Sequence, residues 1–197
     1  MTSLNQTLIR TARLIAMAGA TAALTACVSV KMPAPAASAA NVEKLRAAKA
    51  APSQVGTFKL AAGKPADMDT TLGGLRGSSV QPTAGTFSAQ LRDELSAELK
   101  AAGLLDAASP IVIEGELTDS RVDAAIGTGT GRLAARFVVK RGGQKVFDKE
   151  LAAESSWESS FVGATAIPAA INQYGALYKA LIGKLLDDGE FRAAIKG

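Results

Sequence analysis

The residues best suited to chemistry in this sequence are two acidic side chains, Glu114 and Glu116, which stand two positions apart. Their alternation with Ile113 and Leu117 predicts a strand on which both carboxylates share one face, roughly 6.5–7 Å apart. Glycosidases use carboxylate pairs about 5–9 Å apart. The same alternation places this pair on the solvent face of the strand, away from the apolar core. We therefore interpret the pair as surface residues and not as a catalytic acid and base.

Two other segments could hold an ion. Residues 127–131, Gly-Thr-Gly-Thr-Gly, superficially suggest a phosphate loop, but such a loop opens a helix and usually carries a Lys-Ser/Thr pair. Here strands are predicted on both sides and Arg132 follows, so the pattern favours a flexible hairpin turn. Asp67 and Asp69 could bind a hard cation, but calcium takes about six to eight oxygen ligands and no third carboxylate stands nearby. We expect a solvated loop there and no metal.

The residue inventory excludes most common catalytic machinery. The 197 residues include no histidine and one cysteine, which excludes an intramolecular disulfide, a Cys/His zinc site, a Ser-His-Asp triad and a Cys-His dyad. The motifs Ser-x-x-Lys and Gly-x-Ser-x-Gly do not occur. Hydrophobic residues make up 48% of the chain, enough to bury the core of one domain. We predict a protein that is not an enzyme and uses no cofactor.

The cysteine belongs to a pattern near the beginning of the sequence. Arg10 and Arg13 precede an apolar run over residues 14–26, which is shorter than the roughly 20 residues of a membrane-spanning helix. A basic stretch, a short apolar run and small residues at its end are typical of an export signal. Leu24-Thr25-Ala26-Cys27 then resembles the lipobox of bacterial lipoproteins, whose cysteine is lipidated and becomes the first residue of the mature protein.

The lipobox resemblance implies that residues 1–26 are a signal peptide that is removed and that lipid on Cys27 anchors the protein to a membrane. An ordinary signal peptide that contains a cysteine is the alternative. In lipoproteins of enteric bacteria an aspartate after the cysteine retains the protein in the inner membrane, so Val28 implies the periplasmic face of the outer membrane, with inner-membrane retention less favoured. Cleavage removes two of the 22 basic residues and leaves no basic stripe, so we expect no nucleic-acid partner.

The rest of the chain divides into a tether and one domain. Residues 27–52 predict a flexible tether that carries the lipid, because Pro33, Pro35 and many alanines cannot build a core. A helical turn or two could follow Asn41 as a cap before Pro52 ends it. Residues 53–197 predict a folded periplasmic domain.

Within that domain the hydrophobic periodicity predicts a series of elements. Leu91, Leu95 and Leu99 recur every four residues on the first helix, with Glu94 and Glu98 on its other face. The order predicts an α+β two-layer sandwich, with a mostly antiparallel four-stranded sheet and two amphipathic helices on one face. The predicted elements are a strand over 53–60, an irregular loop over 61–85, a helix from Thr86 to Gly103, strands over 110–122, 132–140 and 144–155, a crossover over 156–166, a helix from Pro168 to 186 and a short helix over 190–195.

The hairpin between the last two strands could turn on two residues or on three. A two-residue Gly142-Gly143 turn would place Phe137 opposite Asp148 and mix the two faces of the sheet. A three-residue loop over 141–143 would place Phe137 opposite Phe147 and Arg136 beside Asp148. We therefore predict the longer loop.

The crossover and the start of the second helix, residues 157–168, contain the single tryptophan of the chain. Trp157, Phe161 and Ile167 stand there among serines and glycines. One interpretation is that the aromatic side chains cap the core between sheet and helix. The other is that all three contact a partner or a lipid tail, because tryptophan is favoured at interfaces that are wet on one side.

The lipobox, the proline- and alanine-rich tether and the strand–helix–meander–helix order together resemble the auxiliary lipoproteins of ABC-type lipid transport systems, the PqiC-like group. They are more loosely similar to α/β lipoproteins that assist outer-membrane assembly or secretion, and residues 157–163 resemble a stretch of uncharacterised proteobacterial lipoproteins. We predict a membrane-anchored, non-enzymatic binding or accessory component of the cell envelope, whose partner is an envelope protein or a lipid. The PqiC-like resemblance implies the alternative of a lipid-handling subunit of an envelope transporter.

Overall fold

The structure, a computed structural model, describes residues 29–197, so the predicted leader and Cys27 lie outside the described residues. The helices are α1 (Ala39–Ala47), α2 (Phe87–Ala102), α3 (Gly163–Asp187) and α4 (Gly189–Ala194), and a short 3-10 helix spans Ala66–Asp69. The strands are β1 (Ser29–Lys31), β2 (Gln54–Leu60), β3 (Leu72–Leu75), β4 (Ser78–Gln81), β5 (Ile111–Asp123), β6 (Gly127–Arg141) and β7 (Gln144–Ser159).

A four-stranded sheet in the order β2-β5-β6-β7 forms one layer. The three longer strands pair antiparallel, whereas β2 runs parallel to β5, as the long connection through α2 permits. The helices form the second layer: α2 packs against β2 and β5, and α3 packs against β6 and β7. The predicted α+β sandwich with a mostly antiparallel four-stranded sheet is thus confirmed.

The core lies between these two layers. Phe137 on β6, Leu95 on α2 and Tyr174 on α3 are each completely buried, as the predicted alternation and helical spacing require. Phe58 and Phe137 meet edge to face with ring centroids 6.3 Å apart. The opposite face of the sheet carries charged side chains and faces solvent, which is the usual arrangement for an antiparallel sheet covered on one side.

The α2 helix begins and ends where the sequence predicts. The Thr86 hydroxyl accepts a hydrogen bond from the Ala89 backbone N–H at 3.1 Å, and Gly103 ends the helix in the left-handed conformation. The prediction that Glu94 and Glu98 face solvent is wrong, because both are buried. Residues 33–47 lie across that side of the helix and exclude water from it.

Part of the predicted tether is folded. Residues 29–47, hereafter the N-terminal arm, contribute β1 and α1 to the domain and bury Met32, Val42 and Leu45. β1 pairs with β4, and α1 packs against α2 and α3. Ser38, and not Asn41, caps α1. The arm resembles a linker in sequence because it is rich in alanine and proline, yet it buries three apolar side chains against the domain.

Residues 61–85, predicted as an irregular loop, are also structured. They contain the 3-10 helix and the β3–β4 hairpin, which joins β1 in a three-stranded sheet of order β1-β4-β3. β1 and β4 are parallel, and β3 and β4 are antiparallel. Strands of three or four residues are too short to show the alternation from which a strand can be predicted.

The β6–β7 hairpin has a register that neither predicted loop describes. Gly142 and Gly143, with φ of 56° and 83°, form a two-residue turn, so the predicted three-residue loop is wrong. A bulge in β7 then shifts the register by one residue, and Phe147 pairs with Val139 instead of Phe137. The bulge returns Phe147 to the inner face, so its predicted position in the core is confirmed.

The other corrections concern the edges of elements. Residues 127–131 are the first part of β6 and not a turn, and β7 continues through the predicted crossover to Ser159. The α3 helix begins at Gly163, five residues before Pro168. Proline has no backbone N–H, so the helix lacks the hydrogen bond from position 168 to the carbonyl oxygen of Ala164. Ala164 is exposed, so this carbonyl oxygen faces solvent. No helix among residues 29–197 is long and apolar enough to cross a membrane.

Candidate functional site

The structure separates the three candidate contact residues of the 157–168 segment. Trp157 is half-buried near the end of β7, Phe161 lies in the β7–α3 loop with 79% of its surface exposed, and Ile167 packs against the core from the first turns of α3. Cys27, the predicted lipid attachment residue, lies outside the described residues. Phe161 is therefore the most exposed of the three.

Trp157 fills a space that Gly129 leaves open. It pairs with Gly129 across β6 and β7, and a Cβ atom at position 129 would lie 2.3 Å from Trp157 Cε2. The indole ring thus explains the glycine at position 129, whereas a Cβ atom at position 131 would first meet Leu177 Cδ1 at 3.1 Å and one at position 127 would meet nothing within 4 Å. The indole Nε1 and the nearby Ser155 hydroxyl are buried without a hydrogen-bond partner among the described residues. This packing supports the interpretation of Trp157 as a core residue.

Three exposed apolar side chains cluster at one end of the main sheet. Ile126 in the β5–β6 turn is 63% exposed, and Phe161 and Val162 in the β7–α3 loop are 79% and 56% exposed. The two loops are neighbours because Gly127 pairs with Ser159 at the end of β6 and β7. We refer to Ile126, Phe161 and Val162 as the apolar tip.

Arg76 holds the two loops of the apolar tip together. Its guanidinium group donates to the carbonyl oxygens of Ala124 at 2.6 Å, Ser160 at 2.7 Å and Phe161 at 2.9 Å, and to the Ser159 hydroxyl at 3.2 Å. Arg76 occupies the turn between β3 and β4 with a φ of 52°, which is unusual for a residue with a side chain. No sequence signal identified this residue, because its partners are mostly backbone carbonyls.

The N-terminal arm is held by a buried carboxylate on α2. Both oxygens of Glu98 accept from the Ser38 backbone N–H at 3.0 Å, and Glu98 Oε1 also accepts from Asn41 Nδ2 at 3.0 Å. The same Asn41 amide donates to the carbonyl of Lys179 on α3 at 3.0 Å. Glu98 therefore ties the arm to α2, and Asn41 ties it to α3.

Glu94 lies one turn earlier on α2 and accepts from the Ala36 backbone N–H at 3.3 Å. Burial raises the pKa of Glu94, against the opposing effects of that hydrogen bond and of the Lys179 charge. A cavity of about 300 Å³ lies beside it, between residues 32–36 and the Asn172–Lys179 side of α3. The carboxylates predicted to face solvent thus form the surface on which the arm lies.

The acidic residues first considered for chemistry have structural or surface positions. Glu114 pairs with Lys140 at 2.7 Å and Glu116 with Lys59 at 3.3 Å on the exposed face of the sheet. Asp69 is buried and accepts from the backbone N–H and the hydroxyl of Ser88, at 2.7 and 2.8 Å, so the prediction of a solvated Asp69 is wrong. Within residues 29–197 no group of three or more acidic, histidine or cysteine side chains could hold a metal ion.

The outer face of the sheet is covered by paired charges. Arg136 reaches diagonally across the strands to Asp148 at 2.6 Å, and Lys145 contacts the same carboxylate at 2.6 Å. These two hydrogen-bonded cations hold the pKa of Asp148 well below its usual range. The predicted contact between Arg136 and Asp148 is confirmed, although their register differs from the prediction. Arg136, Lys145 and Asp148 thus form one ion-paired group on this face.

Two buried tyrosines complete the list of groups that could do chemistry. The Tyr174 hydroxyl lies 2.7 Å from the Ser120 hydroxyl and 3.1 Å from that of Tyr178. Burial raises the pKa of Tyr174 to about 12 and also raises that of Tyr178. Both phenols therefore stay protonated at neutral pH and act as hydrogen-bonding core residues.

Comparison with known proteins shows a similarity of fold. No protein-family model and no curated protein matches the sequence. Among solved structures, a Xanthomonas campestris protein of the family DUF330 is similar with a TM-score of 0.50 and 14% identity, over 84% of this chain and 98% of that chain. A minor lipoprotein from Acinetobacter baumannii matches with a TM-score of 0.38 and 18% identity, over 73% and 90%. Lipoprotein GNA1162 from Neisseria meningitidis matches with a TM-score of 0.26 and 14% identity, over 63% and 98%. The first match shows a shared fold.

Proposed function

We propose that this chain is an exported lipoprotein, anchored by lipid on Cys27, whose α+β domain is a non-enzymatic binding or accessory component of the cell envelope. Val28 in the position after the cysteine supports the periplasmic face of the outer membrane as its location. The partner is an envelope protein or a lipid.

One observation carries this proposal: a single residue, Val28, separates Cys27 of the lipobox-like motif from the first strand of the domain. Two peptide units span at most about 7 Å, so an acyl chain on Cys27 would lie directly beside Ser29. A basic stretch, a short apolar run and the lipobox-like motif therefore stand directly before the folded domain, in the order typical of an export signal. The N-terminal arm then holds the domain close to the membrane instead of at the end of a free tether.

The arrangement of the described side chains supports a binding role. The carboxylates and phenols that could act in catalysis are in ion pairs or in the core. A groove of about 590 Å³ on the sheet is lined by Arg121, Asp123, Arg132 and Glu154, among others. Four of the nine residues that line it are charged, an arrangement that suits a polar ligand better than an acyl chain and supports an accessory role.

The test of the anchor is the variant Cys27→Ser. We expect the wild-type protein to enter the detergent phase in a phase-partition experiment and to remain membrane-bound, and the variant to stay uncleaved by the lipoprotein peptidase and without acyl chains. Ser29→Ala, a change two residues away at an exposed position, is the matched control and should behave as wild type. A Cys27→Ser protein that still partitions into detergent and is still cut before residue 27 would contradict the proposal.

The binding role is tested by affinity purification of the C-terminally tagged lipoprotein from membranes after cross-linking. We expect to recover an envelope protein. The same purification with an unrelated tagged lipoprotein as bait should not recover it. Lipid recovered in a fixed ratio to the protein, without a protein partner, would instead assign the domain to lipid handling.

A further inference from the structure

Two long uncharged stretches of sequence meet at the apolar tip. Residues 124–131 and 159–178 contain no Asp, Glu, Lys or Arg, although charged residues make up 20% of the chain. The first stretch forms the β5–β6 turn and the start of β6, and the second forms the β7–α3 loop and the first half of α3. The end of the domain that exposes Ile126, Phe161 and Val162 is therefore also the end where these charge-free stretches converge.

The chain enters the domain at this same end. Ser29 pairs with Ser79 in the parallel β1–β4 pair, so β1 begins beside the turn that carries Arg76. From that turn, the Arg76 guanidinium reaches the backbone of Ser160 and Phe161. The path from Ser29 to the apolar tip crosses one strand pair to Ser79, follows three residues of chain to Arg76 and ends with the Arg76 side chain. These lengths add to no more than about 25 Å. The opposite end of the sheet, at Gly142 and Gly143, is roughly 45 Å away along β6.

We propose that the apolar tip inserts into the lipid surface that holds Cys27, so that the domain stands on the membrane through two contacts, the acyl chains and Ile126, Phe161 and Val162. This inference rests on the proposed lipid anchor. The proposed anchor directs the choice of occupant, because Cys27 is two residues before Ser29 in the chain and lipid on it would bring this end of the domain to the bilayer. Large apolar side chains flanked by small uncharged residues can enter the headgroup boundary, and Arg76, the cation that contacts these loops, has its guanidinium group bonded to their carbonyl oxygens.

A protein occupant fits the tip less well. A stable protein interface buries about 800 Å² on each partner and uses about 20–30 residues a side. Three exposed apolar side chains at the end of two loops supply much less than this. A lipid surface needs no shape complementarity, and a second weak membrane contact adds to the acyl anchor by keeping the domain in one orientation.

The experiment places a fluorophore at the tip of the membrane-purified, lipidated protein. Phe161→Cys introduces a thiol at the tip, and Val146→Cys introduces one at the other end of the sheet, where Val146 is 47% exposed. Because the thiol of a lipidated Cys27 is already blocked, each variant takes a single environment-sensitive label. The labelled proteins are reconstituted in vesicles of phosphatidylethanolamine and phosphatidylglycerol, with and without a spin-labelled lipid that quenches fluorescence in the bilayer.

We expect the label at position 161 to show a blue-shifted emission and quenching by the spin-labelled lipid several-fold stronger than the label at 146. Equal, weak quenching at both positions in a protein that floats with the vesicles would overturn the tip contact and leave the anchor intact. Shielding of position 161 only after an envelope protein extract is added would assign the tip to a protein and also overturn the inference. A protein without acyl mass that does not float would contradict the proposed function itself.

Discussion

The removal of the Glu98 carboxylate gives the clearest energetic test of how the N-terminal arm is held. Glu98 has no exposed surface, and it accepts from the Ser38 backbone N–H and from Asn41 Nδ2, each at 3.0 Å. A hydrogen bond to a charged group contributes about 1.5–3 kcal/mol, and a buried donor left without a partner costs a similar amount. Asn41 keeps its second bond, to the Lys179 carbonyl. We therefore expect Glu98→Ala to lower the free energy of unfolding by about 3–5 kcal/mol.

The conservative variant separates charge from shape. Glu98→Gln keeps an oxygen in the place of Oε1 for the Ser38 N–H and the Asn41 amide, but it puts an N–H₂ group in the place of Oε2, beside the Ser38 N–H, which is itself a donor. We expect it to cost about 1–2 kcal/mol. Glu43→Ala is the matched control on the arm, because Glu43 is exposed and pairs only with Arg46 three residues along α1, and it should change stability by less than about 0.5 kcal/mol.

Urea unfolding gives the free energies, and hydrogen exchange read by mass spectrometry shows where the structure opens. In Glu98→Ala we expect amides of residues 32–47 to exchange much faster while those of β5 and β6 remain protected, because the arm detaches before the sheet unfolds. A freed segment over residues 28–52 would have an end-to-end reach of about 25–30 Å. A Glu98→Ala protein within about 0.5 kcal/mol of wild type, with unchanged exchange in the arm, would refute this reasoning.

The remaining predictions concern single side chains. Trp157→Ala should cost about 3 kcal/mol because the indole ring packs into the core, whereas Phe161→Ala should cost less than about 0.5 kcal/mol; equal losses in urea unfolding would contradict this assignment. Gly129→Ala should lower the free energy of unfolding by about 1–3 kcal/mol, since the new Cβ would lie 2.3 Å from Trp157 Cε2. Gly175→Ala, whose Cβ would meet nothing within 4 Å, should be neutral or stabilising. The reverse order of melting temperatures would exclude the packing explanation. Burial raises the pKa of Glu94, so between its unfolded-state pKa and its higher folded-state pKa the folded protein keeps a proton that the unfolded chain has lost. The free energy of unfolding should therefore fall as pH rises between these two pKa values. Glu94→Gln should flatten this pH dependence, and an unchanged profile would show that Glu94 is not its source.

Elements that carry their own local signals were predictable from the sequence. α2 combines a four-residue leucine spacing with Thr86 as its cap and Gly103 as its end, and β5 and β6 are long enough for alternation to show which face is buried. The β3–β4 hairpin lacks such a signal, because strands of four residues leave no periodicity to detect. The β6–β7 register was missed because the bulge at Val146 depends on packing of Phe147 and not on turn length.

The candidate site was predictable only in part, because its geometry depends on contacts between distant segments. Phe161 is exposed, as the contact interpretation requires. Trp157 is packed because Gly129 leaves space for its ring, and Gly129 belongs to the glycine-rich stretch whose composition suggests a turn. Burial of Glu98 could not be predicted, since the arm that covers it is rich in alanine and proline and has the composition of a linker. Arg76 was missed because bonds to backbone carbonyls leave no trace in residue types.

The central claim, that Cys27 is the lipidated first residue of the mature protein, is tested most directly by the mass of the N-terminal peptide. The protein is purified from membranes, digested, and its first peptide analysed by mass spectrometry before and after ester hydrolysis. We predict a peptide that begins at Cys27 and carries acyl chains, part of which hydrolysis removes. A first peptide that includes residues before Cys27, or one that begins elsewhere with an unmodified cysteine thiol, would contradict the account.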